Sequence, residues 1–396
     1  MVAGIICEYN PFHAGHAWML QQLRESGAAG IVCVMSGDFV QRGEFAVADK
    51  FARAEMAVRC GADVVLELPA PWSAATAEVF ACGGVSALQQ TGVVTHLAFG
   101  SECGDAEKLM LLAKALGGED YNACLRGKLR SGKTFAVCRR EAAAELLGEE
   151  TAALLDSPNN NLGVEYCRAL LRGGYAMQPV TVVRTGAAHD GAPQGGIASA
   201  SHIRTLLKSD AESALGYMPA AAAEILRREI AAGRAPVSMD NCSRAVLAQL
   251  RRMSEADFAR YAGGSEGLHH RFYQAVRKAC DLESLLDEAK TKRYTHARLR
   301  RMLLSAYLEL PTASPGDKPP YLRVLAAGER GRELLRQMRD GGAPILTKAA
   351  DVSALGEAAE ALLQAEARRH DLYVLGRADL RRALCGEDYR TSPVMV

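Results

Sequence analysis

The chain has 396 residues, with 47 Lys and Arg against 46 Asp and Glu, so its formal net charge is +1. This near-neutral total excludes a uniformly basic nucleic-acid coat protein, although it leaves room for a local basic patch. Hydrophobic residues make up 49% and charged residues 23%, which is typical of a globular protein long enough for two or three domains.

The first half of the chain alternates short apolar runs with helical patterns. Strands are predicted at 2–7, 30–35, 63–68, 95–100 and 180–184, and helices at 21–24, 50–60, 72–90 and 162–171. Near-continuous apolar strands separated by helices are typical of a parallel sheet covered on both faces. The predicted fold class is therefore α/β, with a Rossmann-like doubly wound parallel sheet that binds ligands at the carboxyl ends of its strands.

The alternation stops after about residue 235. Helices are predicted at 243–252, 268–280, 295–308, 330–339 and 357–370, with a proline-rich connector at 310–320. The sequence thus indicates an α/β domain over residues 1–235 and a mostly helical C-terminal region over residues 236–396.

The strongest motif lies directly after the first predicted strand, in EYNPFHAGH at residues 8–16. Pro11 ends the strand, and Gly15 allows a close backbone approach to a ligand. His13 and His16 are three residues apart at a helix start, where free N–H groups and the helix dipole favour an anion. They suit a triphosphate, whose α-phosphate and leaving pyrophosphate gain charge during reaction. The alternative is that both histidines only cap the helix or hold a structural metal.

This segment resembles the HIGH-type motif of the nucleotidylyltransferase superfamily, which implies ATP binding and adenylyl chemistry, usually with Mg²⁺. A second element, IASASHIR at 197–204, is similar to the second phosphate-binding motif of these enzymes. There Ser199 or Ser201 donates to phosphate oxygens and Arg204 clamps them. Taken alone, the same pattern also describes a plain N-capped helix with a solvent-exposed arginine.

Longer blocks resemble one family in that superfamily, the tRNA(Met) cytidine acetate ligases. The blocks lie at 8–16, 35–57, 99–105, 157–166, 197–204 and 290–304, together with the tail TSPVMV, and so span most of the chain. The resemblance implies that acetate attacks ATP to give acetyl-adenylate and pyrophosphate. The acetyl group then passes to N4 of the wobble cytidine in elongator tRNA(Met), which gives N4-acetylcytidine.

The resemblance also implies which residues act. His13, His16 and Arg204 are the expected catalytic residues, and Mg²⁺ is expected on the ATP phosphates, with no metal ligand assigned in the protein. The expected nucleotide-binding residues are Cys7, Glu8, Tyr9, Asn10, Pro11, Phe12, His13, Gly15, His16, Leu20, Gly100, Asn159, Asn160, Arg184, Ser199 and Ser201. Some of these have plainer readings, namely a turn at Gly100, a helix-capping Asx turn at 159–161, and a surface position for Arg184.

Three positions depart from the family pattern. Asp38 stands where Asn is expected, Phe45 where Pro is expected, and Asn161 where an aliphatic residue is expected. A carboxylate at position 38 would repel a polyphosphate unless Mg²⁺ intervenes. The loop at 37–50 therefore has two readings, as the lining of the acetate or acyl site or as a solvated surface loop.

A basic segment at 290–301 contains six Lys or Arg residues and no acid. RNA phosphates are a natural partner for it, and its tyrosine offers a ring on which a base can stack. The expected tRNA-binding residues are Lys290, Lys292, Arg293, Tyr294, Arg298 and Arg301. The alternative is a solvated helix face paired with the acidic run at 281–288.

Two other functional classes remain as alternatives, a small-molecule adenylyltransferase and a non-catalytic protein that binds nucleotide or RNA. The eleven cysteines form no C-x-x-C pair, which favours reduced thiols in a cytoplasmic protein. The chain starts without a basic signal-peptide region, and its least charged stretch, 68–88, carries Pro69, Pro71 and Glu78. No membrane association is therefore expected, and the oligomeric state is left open.

Overall fold

The computed structural model describes residues 1–184, 197–261 and 263–396, and the features below refer to these residues. The strands are β1 (Val2–Cys7), β2 (Gly30–Ser36), β3 (Phe39–Val40), β4 (Glu44–Phe45), β5 (Val64–Leu68), β6 (His96–Ser101), β7 (Gln178–Val183), β8 (Leu322–Ala327), β9 (Ile345–Leu346) and β10 (Val394–Met395).

Helices make up most of the remaining structure. The helices are α1 (Ala14–Glu25), α2 (Lys50–Arg59), α3 (Ala70–Ser73), α4 (Ala77–Gln90), α5 (Ala106–Leu116), α6 (Glu119–Leu129), α7 (Phe135–Leu147), α8 (Glu149–Ala152), α9 (Pro158–Gly173), α10 (Ala200–Leu207), α11 (Ala211–Leu215), α12 (Ala220–Ala231), α13 (Ser243–Arg252), α14 (Glu255–Ala259), α15 (Leu268–Lys278), α16 (Leu282–Ala289), α17 (His296–Tyr307), α18 (Glu329–Asp340), α19 (Glu357–Tyr373) and α20 (Glu387–Arg390).

The main sheet has the strand order β10-β8-β5-β2-β1-β6-β7, with β9 beside β8. The pairs from β5 through β2, β1 and β6 to β7 are parallel, and β8 is antiparallel to β5. Along the chain, β2 and β5 are added on one side of β1, and β6 and β7 are then added on the other side. This change of direction opens a crevice at the carboxyl ends of β1 and β6, which is where such folds bind ligands.

Alternate residues of the central strands supply two hydrophobic cores, one on each face. In β1, Ile5 belongs to a core shared with α1, α2, α10 and α12, and Ile6 belongs to a core shared with α4, α5 and α9. Helix α4 lies so close to β1 that a Cβ on Gly84 would be 2.7 Å from Ile6. The predicted doubly wound α/β fold with a mostly helical C-terminal region is confirmed.

Two details differ from the sequence-based prediction. The single helix predicted at 72–90 is interrupted, and the structure has α3 and α4 instead. Thr76 is the N-cap of α4, because its side chain accepts a hydrogen bond from the Val79 N–H. In addition, β8 and β10 come from the C-terminal region, where strands were not predicted, and join the same sheet. The sheet therefore draws strands from both sides of residue 235, and the division at 235 stays a prediction.

A buried network of charges joins the C-terminal strands and helices to the sheet. The Lys50 ammonium lies 2.7 Å from both Glu67 and Asp388 and 3.8 Å from Asp38, and Arg323 lies 2.6 Å from Asp388. All these side chains are at most 5% exposed. Each buried charge thus has an opposite partner, without which its burial would be very costly.

His370 extends this network. Its Nδ1 lies 2.8 Å from the Asp38 carboxylate, and Asp49 lies close enough to complete a three-residue cluster of metal-ligating side chains. Burial acts to lower the pKa of His370, but the charge and hydrogen bond of Asp38 raise it to about 10. The protonated imidazole and Lys50 both offset the charge of Asp38, so these side chains form an ion network.

Across the described ranges, the helices are all too short or too polar to cross a membrane.

Candidate active site

A cleft of about 350 Å³ opens at the carboxyl ends of β1, β6 and β7. Thirteen residues expected from the sequence line it, and they come from the motif after β1, the end of β6, the start of α9, the end of β7 and the start of α10. These residues are Cys7, Glu8, Tyr9, Asn10, His13, Gly15, His16, Gly100, Asn159, Arg184, Ser199, Ser201 and Arg204.

The two histidines form a fixed pair at the start of α1. His13 is the N-cap, and its Nδ1 accepts a hydrogen bond of 3.1 Å from the Gly15 N–H. His16 Nδ1 accepts one of 3.2 Å from the His13 N–H, and the two rings stack with centroids 3.7 Å apart. Both Nδ1 atoms are acceptors, so each neutral ring carries its proton on Nε2. The histidines do cap the helix, as one reading proposed, but they also line the cleft.

Electrostatics keep both histidines neutral. Burial, followed by the charges of Arg184 and Arg204, lowers the pKa of His13 to about 3. Burial, followed by the charges of His13 and Arg184, lowers the pKa of His16 well below its usual value. At neutral pH the pair therefore offers two Nε2–H donors without adding positive charge.

Arg204 is held at the edge of the cleft by the motif after β1. Its Nη1 donates to the Asn10 carbonyl oxygen at 2.9 Å, and its Nη2 donates to the Glu44 carboxylate at 3.2 Å. Ser199 is the N-cap of α10 and accepts a hydrogen bond from the His202 N–H. The N-cap reading is therefore correct for Ser199, and the same turn also puts Ser201 and Arg204 on the cleft wall.

Gly100 and Arg184 lie side by side on neighbouring strands. A Cβ on Gly100 would be 3.1 Å from Arg184 Cγ, so the glycine leaves room for the arginine stem. Across the cleft, the side chain and N–H of Asn159 both donate to Glu102 Oε1. This pairing fixes the first turn of α9 against the end of β6.

Four residues expected to bind nucleotide lie behind the cleft wall. Phe12 and Leu20 are buried in the core that packs against β1, and Pro11 is buried in the turn between β1 and α1. Asn160 accepts hydrogen bonds from the N–H groups of Glu102 and Cys103, at 3.0 and 3.1 Å. None of these four residues lines the cleft, so they support the residues of its wall from behind.

The loop at 37–50 is not a solvated surface loop. Most of it is buried, and Gln41 and Arg42 line the cleft, which favours the reading of this loop as part of a site wall, while its role toward acetate stays a prediction. Asp38 does not face the cleft with a free charge, because Lys50 and His370 hold it, so the expected repulsion of a polyphosphate is removed.

The other two departures from the family pattern also have clear places. The antiparallel pair β3 and β4 forms a hairpin. Its Phe45 packs among Phe39, Tyr307 and Tyr373, with ring centroids 5.3 to 6.2 Å away, and so joins the hairpin to the helical region. Asn161 lines the cleft, and its amide donates to the Leu155 carbonyl oxygen.

The basic segment at 290–301 reaches the cleft through Glu44. This carboxylate accepts from Arg300 at 2.7 Å with one oxygen and from Arg204 at 3.2 Å with the other. Gly43 has φ 79°, and a Cβ there would lie 2.5 Å from the backbone of Arg300, so the hairpin and α17 touch directly. The start of α17 is thus anchored to the cleft.

The basic segment also differs in part from what was expected. Arg293 and Arg298 pair with Glu266, at 3.7 and 2.8 Å, rather than with the acidic run at 281–288. Tyr294 is only 7% exposed, and its hydroxyl donates to the Glu266 carbonyl oxygen. The ring is packed in this structure, and the stacking of a base on Tyr294 stays a prediction.

The chain is similar to known proteins over nearly its whole length. Residues 1–386 match the family HIGH Nucleotidyl Transferase. A protein of Syntrophomonas wolfei called tRNA(Met) cytidine acetate ligase is 35% identical over 411 aligned positions, which cover 99% of each chain. A Thermotoga maritima protein of the same name is 39% identical and covers 84% of this chain and 83% of its own.

Solved structures give the same relationship. The crystal structure of Thermotoga maritima TmcAL bound with alpha-thio ATP has a TM-score of 0.93 and 33% identity, and the match covers 100% of this chain and 99% of that one. The apo form of TmcAL has a TM-score of 0.95 with the same identity and coverage.

Proposed function

Because the chain belongs to the tRNA(Met) cytidine acetate ligase family of HIGH nucleotidyl transferases, we propose that it uses ATP to join acetate to a cytidine of tRNA(Met). The product is N4-acetylcytidine at the wobble position of the elongator tRNA. The observation that carries this function is the pair of neutral histidines at the start of α1, whose Nε2–H donors line the cleft.

The first step is displacement at phosphorus. An acetate oxygen attacks the α-phosphate of ATP, its new P–O bond forms, and the bond to pyrophosphate breaks. Acetate has a pKa of about 4–5 and is already a nucleophile at neutral pH. The His13 and His16 donors, the Arg204 guanidinium and the N–H groups of α1 stabilise the negative charge that builds on the phosphates.

Mg²⁺ fits this cleft as a partner of ATP rather than of the protein. Among the described residues that line the cleft, Glu8 is the one carboxyl group. Mg²⁺ keeps several waters and binds readily through substrate phosphates. We therefore place Mg²⁺ on the ATP phosphates, where it offsets their charge.

The second step transfers the acetyl group to N4 of cytidine. This exocyclic nitrogen is a weak nucleophile, so a mixed anhydride such as acetyl-adenylate is a suitable donor. An anticodon base is unpaired and enters a pocket at little cost. Residues 236–396 form the expected tRNA-binding region, and Glu44 links its helix α17 to Arg204. We place the protein in the cytoplasm, where its tRNA substrate is.

A triple charge reversal, Lys292→Glu, Arg293→Glu and Arg298→Glu, tests the tRNA assignment of the basic segment. We expect tRNA affinity to fall and the salt slope to shrink by about one unit for each lost phosphate contact. Fluorescence anisotropy with tRNA(Met) at several salt concentrations measures both. A matched reversal at Arg126, Arg130 and Lys133, which are exposed and lie outside residues 236–396, should leave tRNA affinity unchanged. Equal affinity in the two variants would remove segment 290–301 from the tRNA site.

One assay tests the function as a whole. The protein is incubated with ATP, labelled acetate and tRNA(Met), and the tRNA is digested to nucleosides. Label in N4-acetylcytidine that disappears without ATP supports the proposal. Pyrophosphate release that needs a small-molecule acceptor instead of tRNA would identify the protein as another adenylyltransferase. Nucleotide binding without turnover would identify a non-catalytic protein.

A further inference from the structure

Glu8 is an unusual residue for a cleft that holds a polyphosphate. It follows β1 directly, and it is the one carboxylate among the described cleft-lining residues. A negative side chain on the cleft wall repels the phosphates of ATP. The presence of Glu8 there therefore favours a role in the reaction that outweighs this repulsion. The family resemblance implies nucleotide binding for Glu8 but no chemical step.

The carboxylate of Glu8 is held firmly at one end. Its Oε1 accepts a hydrogen bond of 2.9 Å from the Gln41 N–H, and its backbone carbonyl accepts one from Arg53. Its Oε2 has no hydrogen-bond partner among the described residues. One carboxylate oxygen is therefore fixed by the loop at 37–50, and the other stays available as an acceptor.

The proposed reaction needs a proton acceptor in its second step, because N4 of cytidine must lose a proton when it is acylated. The two histidines do not suit this role. Both Nδ1 atoms accept backbone hydrogen bonds, so both Nε2 atoms carry hydrogen and donate. The low pKa of His13, about 3, also makes it a weak base.

The tyrosines beside the cleft do not suit this role either. The Tyr9 hydroxyl lies 3.5 Å from the Cys33 sulfur in the core, and burial raises the pKa of both Tyr9 and Tyr166 well above the usual value. A neutral phenol is a poor proton acceptor. Glu8 is different, since burial raises the pKa of its carboxyl group and so makes its carboxylate a stronger base.

We propose that Glu8 is the general base for acetyl transfer to the cytidine, an inference that rests on the proposed function. N4 attacks the acetyl carbonyl carbon, and the new C–N bond forms. The C–O bond to the adenylate breaks, and AMP leaves with its electron pair. The N4 proton passes to Glu8 Oε2, which later releases it to water.

The Glu8→Gln variant tests this role, because the amide keeps the size and the Oε1 acceptor but is not a base. We expect single-turnover transfer from preformed acetyl-adenylate to tRNA to fall about 10²- to 10⁴-fold. Acetate-dependent ATP–pyrophosphate exchange, which reports the first step alone, should fall by much less. In the wild type, transfer should slow as pH drops through the pKa of Glu8, and this dependence should vanish in Glu8→Gln.

Two further variants sharpen the test. Glu8→Asp keeps a carboxylate and should recover part of the transfer rate. Glu224→Gln, an identical change at an exposed position of α12, should alter neither step. Equal losses in both steps of Glu8→Gln would overturn the proposal and return Glu8 to nucleotide or metal binding. A wild-type transfer rate would overturn it as well. If the wild type itself never acetylates tRNA, the proposed function fails instead.

Discussion

The His16→Ala variant is expected to lose acetate-dependent ATP–pyrophosphate exchange by about 10²- to 10³-fold, the usual effect of removing one donor to a developing oxyanion. His16 is neutral, its Nδ1 is fixed by the His13 N–H, and its Nε2–H is left for the substrate. The loss should lie mainly in the rate constant, since a neutral donor contributes most when charge builds on the phosphates. Steady-state exchange at varied ATP concentration measures both parameters.

The controls for His16→Ala separate catalysis from folding. Alanine also removes half of the capping box at α1, which costs about 0.5–2 kcal/mol. Thermal unfolding should therefore show a folded protein with a slightly lower midpoint, and tRNA binding should survive. His270→Ala, on an exposed face of α15, should keep full exchange activity. Full exchange activity in His16→Ala would remove the histidine pair from the mechanism.

The Lys50→Met variant is expected to destabilise the protein by about 3–5 kcal/mol, because breaking a buried ion pair leaves uncompensated charge. Methionine fills similar space but leaves Glu67 and Asp388 without their contact at 2.7 Å. Urea unfolding, followed by the fluorescence of Trp18 and Trp72, measures the loss.

Two comparisons decide whether charge is the cause. Lys208→Met removes an exposed partner of Asp240 and should barely move the urea midpoint. Adding Glu67→Gln to Lys50→Met should recover part of the stability, since it removes one of the stranded charges. A Lys50→Met midpoint equal to that of the wild type would show that the network contributes nothing to stability.

The central sheet and the cleft were predictable because local patterns determine them. The apolar runs of β1, β2, β5 and β6 are almost wholly buried, and helices alternate with these strands along the chain. The more exposed run of β7 pairs with β6 at the edge of the same sheet. Parallel topology then brings the ends of β1, β6 and β7 to one edge. Residues as distant as His13, Gly100 and Arg204 meet there, as the motif and the resemblance predicted.

The unpredicted features depend on partners far along the chain. β8 follows a proline-rich connector, and only its pairing with β5 makes it part of the sheet. Tyr294 lies in a segment that looks basic and exposed, but the carbonyl of Glu266 and the surrounding core take up its hydroxyl and ring. For the loop at 37–50, the sequence left two readings open, and contacts with Glu8 and α17 hold the loop so that Gln41 and Arg42 line the cleft.

The buried network has a consequence for biosynthesis. Lys50 and its partner Asp388 stand at opposite ends of the sequence, and β8, which covers the edge of β5, lies between them. At about 5–20 residues per second, a ribosome makes the partner about 20–70 seconds after the lysine. During that interval the ammonium stays hydrated and the edge of β5 stays open to other chains. We therefore expect the sheet to close only after most of the polypeptide has been translated, and we expect chaperones to bind the nascent chain before that point.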